Sequence, residues 1–201
     1  MMKSLLLWLT RICCGIIVRR EIPRLPEKEG CVFFANHTTH FDLLVILSAL
    51  PKPVRKNLRP VAAKEYWLKT ALRRWLALRV LNIIPIDRQN PSRTRSCFQE
   101  IHDTLEQGNP VLIFPEGGRQ SPESGGNLKG GIFLIAEQRP ETRFYPVRLS
   151  GFHRVLPKGE WLPAPNMGIV SFREPIVRQP EEPRAAFMER CRRALEREDH
   201  A

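Results

Sequence analysis

The sequence predicts one α/β domain, a mixed and largely parallel sheet flanked by helices. Three observations predict it. Short apolar runs (CVFFA, RPVAA, NIIPI, PVLIF) alternate with helical stretches of ~10 to 15 residues. Gly, Pro and Asn bound those runs, as they bound buried strands. A chain of 201 residues, 42% hydrophobic and without a visible repeat or low-complexity tract, can bury a core without staples.

The first stretch, MMKSLLLWLTRICCGIIVRR, is apolar but broken by Arg11. Its uninterrupted pieces, Leu5 to Trp8 and Ile12 to Val18, fall short of the ~20 residues that a span needs, and no small-residue cleavage site follows. With Trp8 and flanking Lys3, Arg19 and Arg20 it reads as an amphipathic segment, residues 1–20, lying on a membrane surface ahead of a domain over 21–201. The alternative is a helix packed on the domain itself. PRLPEKEG then links to CVFFA, a short buried strand.

FDLLVILSAL reads as a helix closed by Pro51 and Pro53, and RPVAA as a strand. In KEYWLKTALRRWLALRVL, Leu68, Leu72, Trp75, Leu76 and Arg79 fall at helical spacing, which predicts one helix over 65–80. Trp67, Trp75, Lys69, Arg73, Arg74 and Arg79 make it either a second basic, aromatic membrane face or a core helix with a solvated side. NIIPID is a strand. The helix after it has Pro91 near its start and Gly108 just past its end. PVLIF is a buried strand, GGIFLIAEQ a helix, RFYPVRLSG and MGIVSFREPIV strands, and Glu181 to Glu198 a charged surface helix.

A net charge of +11 points to anionic partners: nucleic acid, acidic headgroups or a phosphorylated substrate. No nucleic-acid module signature is present, so the first is set aside. Five cysteines, an odd number without paired metal-ligand spacing, suit reduced thiols facing the cytoplasm. The His and carboxylate spacings suggest no metal site.

In parallel α/β sheets reactive groups gather beyond the carboxyl ends of strands. Three polar clusters lie at such ends: NHTTHFD after CVFFA, DR after NIIPI, and PEGGRQ after VLIF. Four residues separate His37 from Asp42. If the loop folds back, the carboxylate holds one imidazole nitrogen and leaves the other as a general base. Taken alone, the spacing equally suits a helix-start aspartate beside a corner histidine. In FPEGGR the glycines let backbone amides approach an anion and Arg119 offers a planar fork, with Arg88 a second guanidinium on the same edge. Glu116 there suits holding hydroxyls or orienting an arginine; an ordinary salt-bridged turn is the alternative.

In that order NHTTHFD, NIIPIDR, FPEGGR and YPVRLSG resemble the four blocks of the glycerophospholipid acyltransferases, typified by 1-acyl-glycerol-3-phosphate (lysophosphatidate) acyltransferase. The resemblance runs from about Val32 to Ile176, with LKGGIFLIA and VLPKG in the expected intervals. It implies a glycerolipid acyltransferase-like fold. The implied activity moves an acyl group from a thioester of coenzyme A or acyl carrier protein, a co-substrate and not a cofactor, to a lysophospholipid hydroxyl. His37 would take the hydroxyl proton and Asp42 would orient the imidazole. Arg88, Glu116, Gly117 and Arg119 would bind the glycerol phosphate, Lys129 is a further phosphate ligand, and the strand around Pro146 would lie near the donor. Implied partners are the lysophospholipid, the thioester and the cytoplasmic face of a membrane, in a peripheral or monotopic pose.

The match departs from the family at two places. Gly118 and Gln120 stand where Thr and Ser are usual, and Leu81 and Asn82 replace a glycine ahead of Ile-Asp-Arg. The first departure keeps other acceptors open, namely glycerol-3-phosphate or an amino-acid lipid. A basic membrane-binding scaffold without activity is the reading from another class. His40, His102 and His153 have no assigned role.

Overall fold

The structure is a computed structural model and describes residues 2–39, 41–87, 91–118, 127–152 and 166–197. Seven strands form one sheet in the order β1-β7-β6-β2-β5-β3-β4. These are β1 Cys14–Arg20, β2 Val32–Ala35, β3 Arg59–Ala63, β4 Ile84–Ile86, β5 Val111–Ile113, β6 Phe144–Ser150 and β7 Asn166–Phe172. Neighbours are parallel except β6 and β7. The outer pair β1–β7 therefore runs against the other five strands. Helices α1 Met2–Cys13, α2 Asp42–Ala49, α3 Lys52–Asn57, α4 Lys64–Trp67, α5 Ala71–Trp75, α6 Pro91–Glu106, α7 Gly131–Gln138 and α8 Arg184–Glu196 complete the fold.

The apolar runs form central strands because both sheet faces are covered. Along β2, Phe33 and Ala35 enter one core with α1 and α2, while Val32 and Phe34 enter a second with α6, α7 and α8. Strand β5 alternates likewise, Leu112 to the first core and Val111 and Ile113 to the second. On α8, Phe187, Cys191 and Leu195 recur every four residues and are buried. Arg173, 2% exposed, donates to Ala194 O and Arg197 O, and Arg148 donates to Leu195 O. Two cations thus satisfy the last carbonyls of that helix.

Three elements differ from the sequence expectation. Residues 14–20 are an edge strand paired residue for residue with β7, so the first twenty residues are built into the fold and are not one surface-lying segment. Only Cys14 of the strand is buried, which leaves no alternation to mark it. The helix expected over 65–80 is three pieces. Thr70 starts α5, its hydroxyl accepting from Arg73 N at 3.3 Å, and residues Leu76–Val80 form a π-helical turn. After Pro51 the chain makes α3, with Pro53 at its second position, where no amide partner is needed.

Helix α1 is turned inside out. Its basic side chains face the protein: Lys3 Nζ donates to Arg55 O at 3.0 Å and Arg11 to Ser48 O at 2.5 Å, in the last turns of α3 and α2. Leu7 and Thr10 are buried, while Met2, Leu5, Trp8, Leu9 and Ile12 are exposed. Among the described residues no helix is long and apolar enough to cross a membrane.

Candidate active site

The chain leaves β2 at Ala35 and must turn before α2 begins at Asp42. Asn36 anchors the turn: its oxygen accepts from Leu149 N at 2.7 Å and its amide donates to Leu149 O at 3.0 Å, extending the β2–β6 ladder past Ala35 and Val147. His37 follows. Asp42, wholly buried at the first turn of α2, points back into the loop. Its Oδ2 accepts from Thr38 N at 2.5 Å, Thr39 N at 2.9 Å and His37 Nδ1 at 2.9 Å; its Oδ1 accepts from the Thr38 and Thr39 hydroxyls at 3.1 and 3.0 Å. Every partner donates, as a buried carboxylate requires. The acceptor at Oδ2 fixes the hydrogen on His37 Nδ1 and leaves Nε2 with a free lone pair.

The turn after β5 holds the same loop from another side. Phe114 stacks on the His37 ring, centroids 4.5 Å apart, and Glu116 Oε2 accepts from His37 N at 3.2 Å. Gly117 has φ +70° and donates to Phe114 O at 3.0 Å. A Cβ there would lie 2.7 Å from Lys129 Cδ, part of a flexible side chain that can move aside, so it is the backbone conformation that calls for glycine. At Gly118 a Cβ would meet nothing within 4 Å among the described residues. The sequence resemblance would place threonine at this position.

His37, Gly117, Gly118 and Lys129 line a cavity of about 530 Å³ whose wall from β3, β5, α6 and α7 is apolar, with Phe98, Ile101 and Ile132 among its residues. Of the residues singled out in the sequence, the fold unites His37, Asp42, Glu116, Gly117 and Lys129. Pro146 lies buried within β6, in register with Phe34, and not on the cavity wall. Arg88 and Arg119, like His40, His153 and VLPKG, lie outside the described residues. Asn36, Thr38, Thr39 and Phe114 join the site without having been singled out. The Thr pair lies between His37 and Asp42, a known local-bonding residue type, and was the available signal.

Burial pushes the Glu116 carboxyl up to about 7; the His37 amide and imidazole oppose this and the Asp42 charge adds to it. The unfolded chain releases this proton near 4.5, so between about 4.5 and 7 the folded state holds more protons and stability falls as pH rises. The cost is complete above about 7. Glu116→Gln, which keeps an acceptor for His37 N, is expected to stabilise the fold at pH 8 by on the order of 1–3 kcal/mol and hardly at all at pH 4.5. Urea unfolding of both proteins at the two pH values checks this; an equal difference at both would show that the charge is not the cause.

Fold and site together define an α/β protein in which a carboxylate-held imidazole lines a largely apolar cavity. The family model described as Acyltransferase matches residues 17–150. A 1-acyl-sn-glycerol-3-phosphate acyltransferase alpha of Mus musculus is 32% identical over 78% of this chain and 53% of its own length. A chloroplastic 1-acyl-sn-glycerol-3-phosphate acyltransferase of Arabidopsis thaliana is 24% identical over 69% of this chain and 37% of its own. The chain belongs to the glycerophospholipid acyltransferase family. It spans about half the length, or less, of these curated relatives. The crystal structure of the 1-acyl-sn-glycerophosphate acyltransferase PlsC from Thermotoga maritima shares the fold, with TM-score 0.70 and 22% identity over 96% of this chain and 78% of that one.

Proposed function

We propose that this chain transfers an acyl group from a thioester of coenzyme A or acyl carrier protein to the free hydroxyl of 1-acyl-glycerol-3-phosphate or a related lysophospholipid. One observation carries the reading: the His37 ring lines the apolar cavity while its Nδ1 is held by the buried carboxylate of Asp42. Nε2 takes the hydroxyl proton as the oxygen attacks the thioester carbonyl, and Asp42 balances the charge of the imidazolium. The tetrahedral intermediate collapses with cleavage of the C–S bond, and the imidazolium returns the proton to the leaving thiolate. Glu116 holds the backbone of the base from below, Lys129 meets the acceptor's phosphate, and Arg88 and Arg119 join it on the strength of the resemblance. The cavity takes an acyl chain.

The pose is peripheral or monotopic on the cytoplasmic face. Helix α1 supports it, since five large apolar side chains turned outward need an apolar medium. The five cysteines, none in a disulfide, suit that compartment. Gly118, where a Cβ would meet nothing within 4 Å among the described residues, keeps a second reading open: the same chemistry on a different acceptor, glycerol-3-phosphate or an amino-acid lipid. Purified protein in mixed micelles with a labelled acyl-coenzyme A or acyl carrier protein thioester and a panel of lysophospholipids, glycerol-3-phosphate and amino-acid lipids tests both. Transfer to one acceptor names the substrate. No transfer from either donor by folded protein would leave a basic membrane-binding scaffold.

A further inference from the structure

The segment that breaks the expected helix over 65–80 carries an apolar stripe that the fold leaves uncovered. Leu72, Trp75 and Leu78 recur every three residues along α5 and the π turn, and are 73, 45 and 44% exposed. Leu72 is the most exposed large apolar side chain among the described residues. The opposite side of the same segment is anchored: Ala77 and Val80 are buried and Leu76 packs against the core. Lys69, Arg74 and Arg79 are exposed on its flanks. An apolar stripe rimmed by cations matches a leaflet with anionic headgroups, whose acyl boundary takes leucine and tryptophan while its phosphates take lysine and arginine.

The stripe is joined to the cavity. Helix α4 immediately precedes it, and Tyr66 and Trp67 of α4 line the cavity. The Arg73 guanidinium of α5 sits 4.6 Å from the centre of the Tyr66 ring, clamping the two short helices together. We propose that α5 and the π turn dock in the headgroup–acyl boundary of an anionic leaflet, a second membrane contact besides α1, and with α4 form the lip over which a single-chain lipid passes into the cavity. What crosses the lip rests on the acyl-transfer reading; the docking does not.

The test uses vesicles of mixed phosphatidylglycerol and phosphatidylethanolamine, some carrying brominated acyl chains. In a protein with Trp8, Trp67 and Trp161 replaced by Phe, Trp75 emission is expected to shift to the blue on binding and to be quenched by the brominated chains. In the otherwise unchanged protein, Leu72→Ser/Leu78→Ser is expected to weaken cosedimentation with vesicles roughly tenfold and to lower transfer to a vesicle-borne acceptor similarly. Transfer between a short-chain thioester and a short-chain acceptor, both monomeric in water, is expected to be unchanged. Sedimentation like that of the parent protein overturns the proposal, and so does Trp75 emission indifferent to vesicles in folded protein. An equal loss on soluble and vesicle-borne acceptors overturns the lip. A concentration-dependent dimer, abolished by the double substitution and unaffected by vesicles, would assign the stripe to a second copy of the chain instead. If the parent protein transfers to no acceptor, the acyl-transfer reading fails while quenching and sedimentation still decide the docking.

Discussion

His37→Ala is expected to lower kcat by roughly 10²–10⁴-fold, the range a positioned general base contributes, with KM for the acceptor within a few-fold of its starting value. The split follows from the geometry. The imidazole lines the cavity, with its side chain 23% exposed, and its polar contact is to Asp42. The apolar wall and Lys129 belong to other elements and remain. The fold is expected to survive, because the backbone of His37 stays bonded to Glu116 and Asn36 still ties β2 to β6. The measurement is initial rate against acceptor concentration, with far-ultraviolet circular dichroism as the fold control. Residual activity within tenfold of the parent would remove the histidine from the proton transfer, and an unchanged kcat with a raised KM would make it a binding group.

How far the sequence went depends on how each element is buried. Strands β2 and β5 are covered on both faces, so their uninterrupted apolar runs were legible. Strand β1 lies at an edge with one buried residue, and an apolar run without alternation reads as well for a surface helix as for a strand. At Thr70, whose hydroxyl accepts from Arg73 N, a new helix starts, a local signal that the helical spacing of leucines hides. At the site, the His37 and Asp42 spacing left two readings, and the aspartate does start a helix. What separates the readings is the direction of its carboxylate, which turns back to the loop and collects Thr38, Thr39 and His37. That direction belongs to the loop backbone, and neither spacing nor composition encodes it.

Glu116 illustrates the same limit from the other side. The residue type and its place after a buried strand suited a group that holds hydroxyls or an arginine. In the fold its oxygen meets the amide of His37, 79 residues away in sequence, and the ring of Phe114 two residues earlier supports the imidazole. Two blocks that read as a base and a phosphate turn are one mechanical unit. A change in the turn therefore reaches the base without touching it.

The tightest part of that unit is Asp42, and Asp42→Asn is the sharper test of the pair. An amide can keep one oxygen toward the two threonine amides and Nδ1, because the threonine hydroxyls can rotate to accept from its nitrogen. Thr39 already accepts from Phe41 N, so that accommodation is imperfect. A stability loss of roughly 1–3 kcal/mol in urea unfolding is expected. The loss in kcat is expected to be larger than a neutral scaffold effect, on the order of 10²–10³-fold, because the amide no longer balances the imidazolium formed during transfer. If the two side chains act as one base, the double substitution His37→Ala/Asp42→Asn loses no more activity than His37→Ala alone, since the carboxylate has nothing left to orient. Losses that multiply instead would mean that Asp42 serves the reaction independently of His37. Their 2.9 Å contact would then be a consequence of packing two polar groups into one corner.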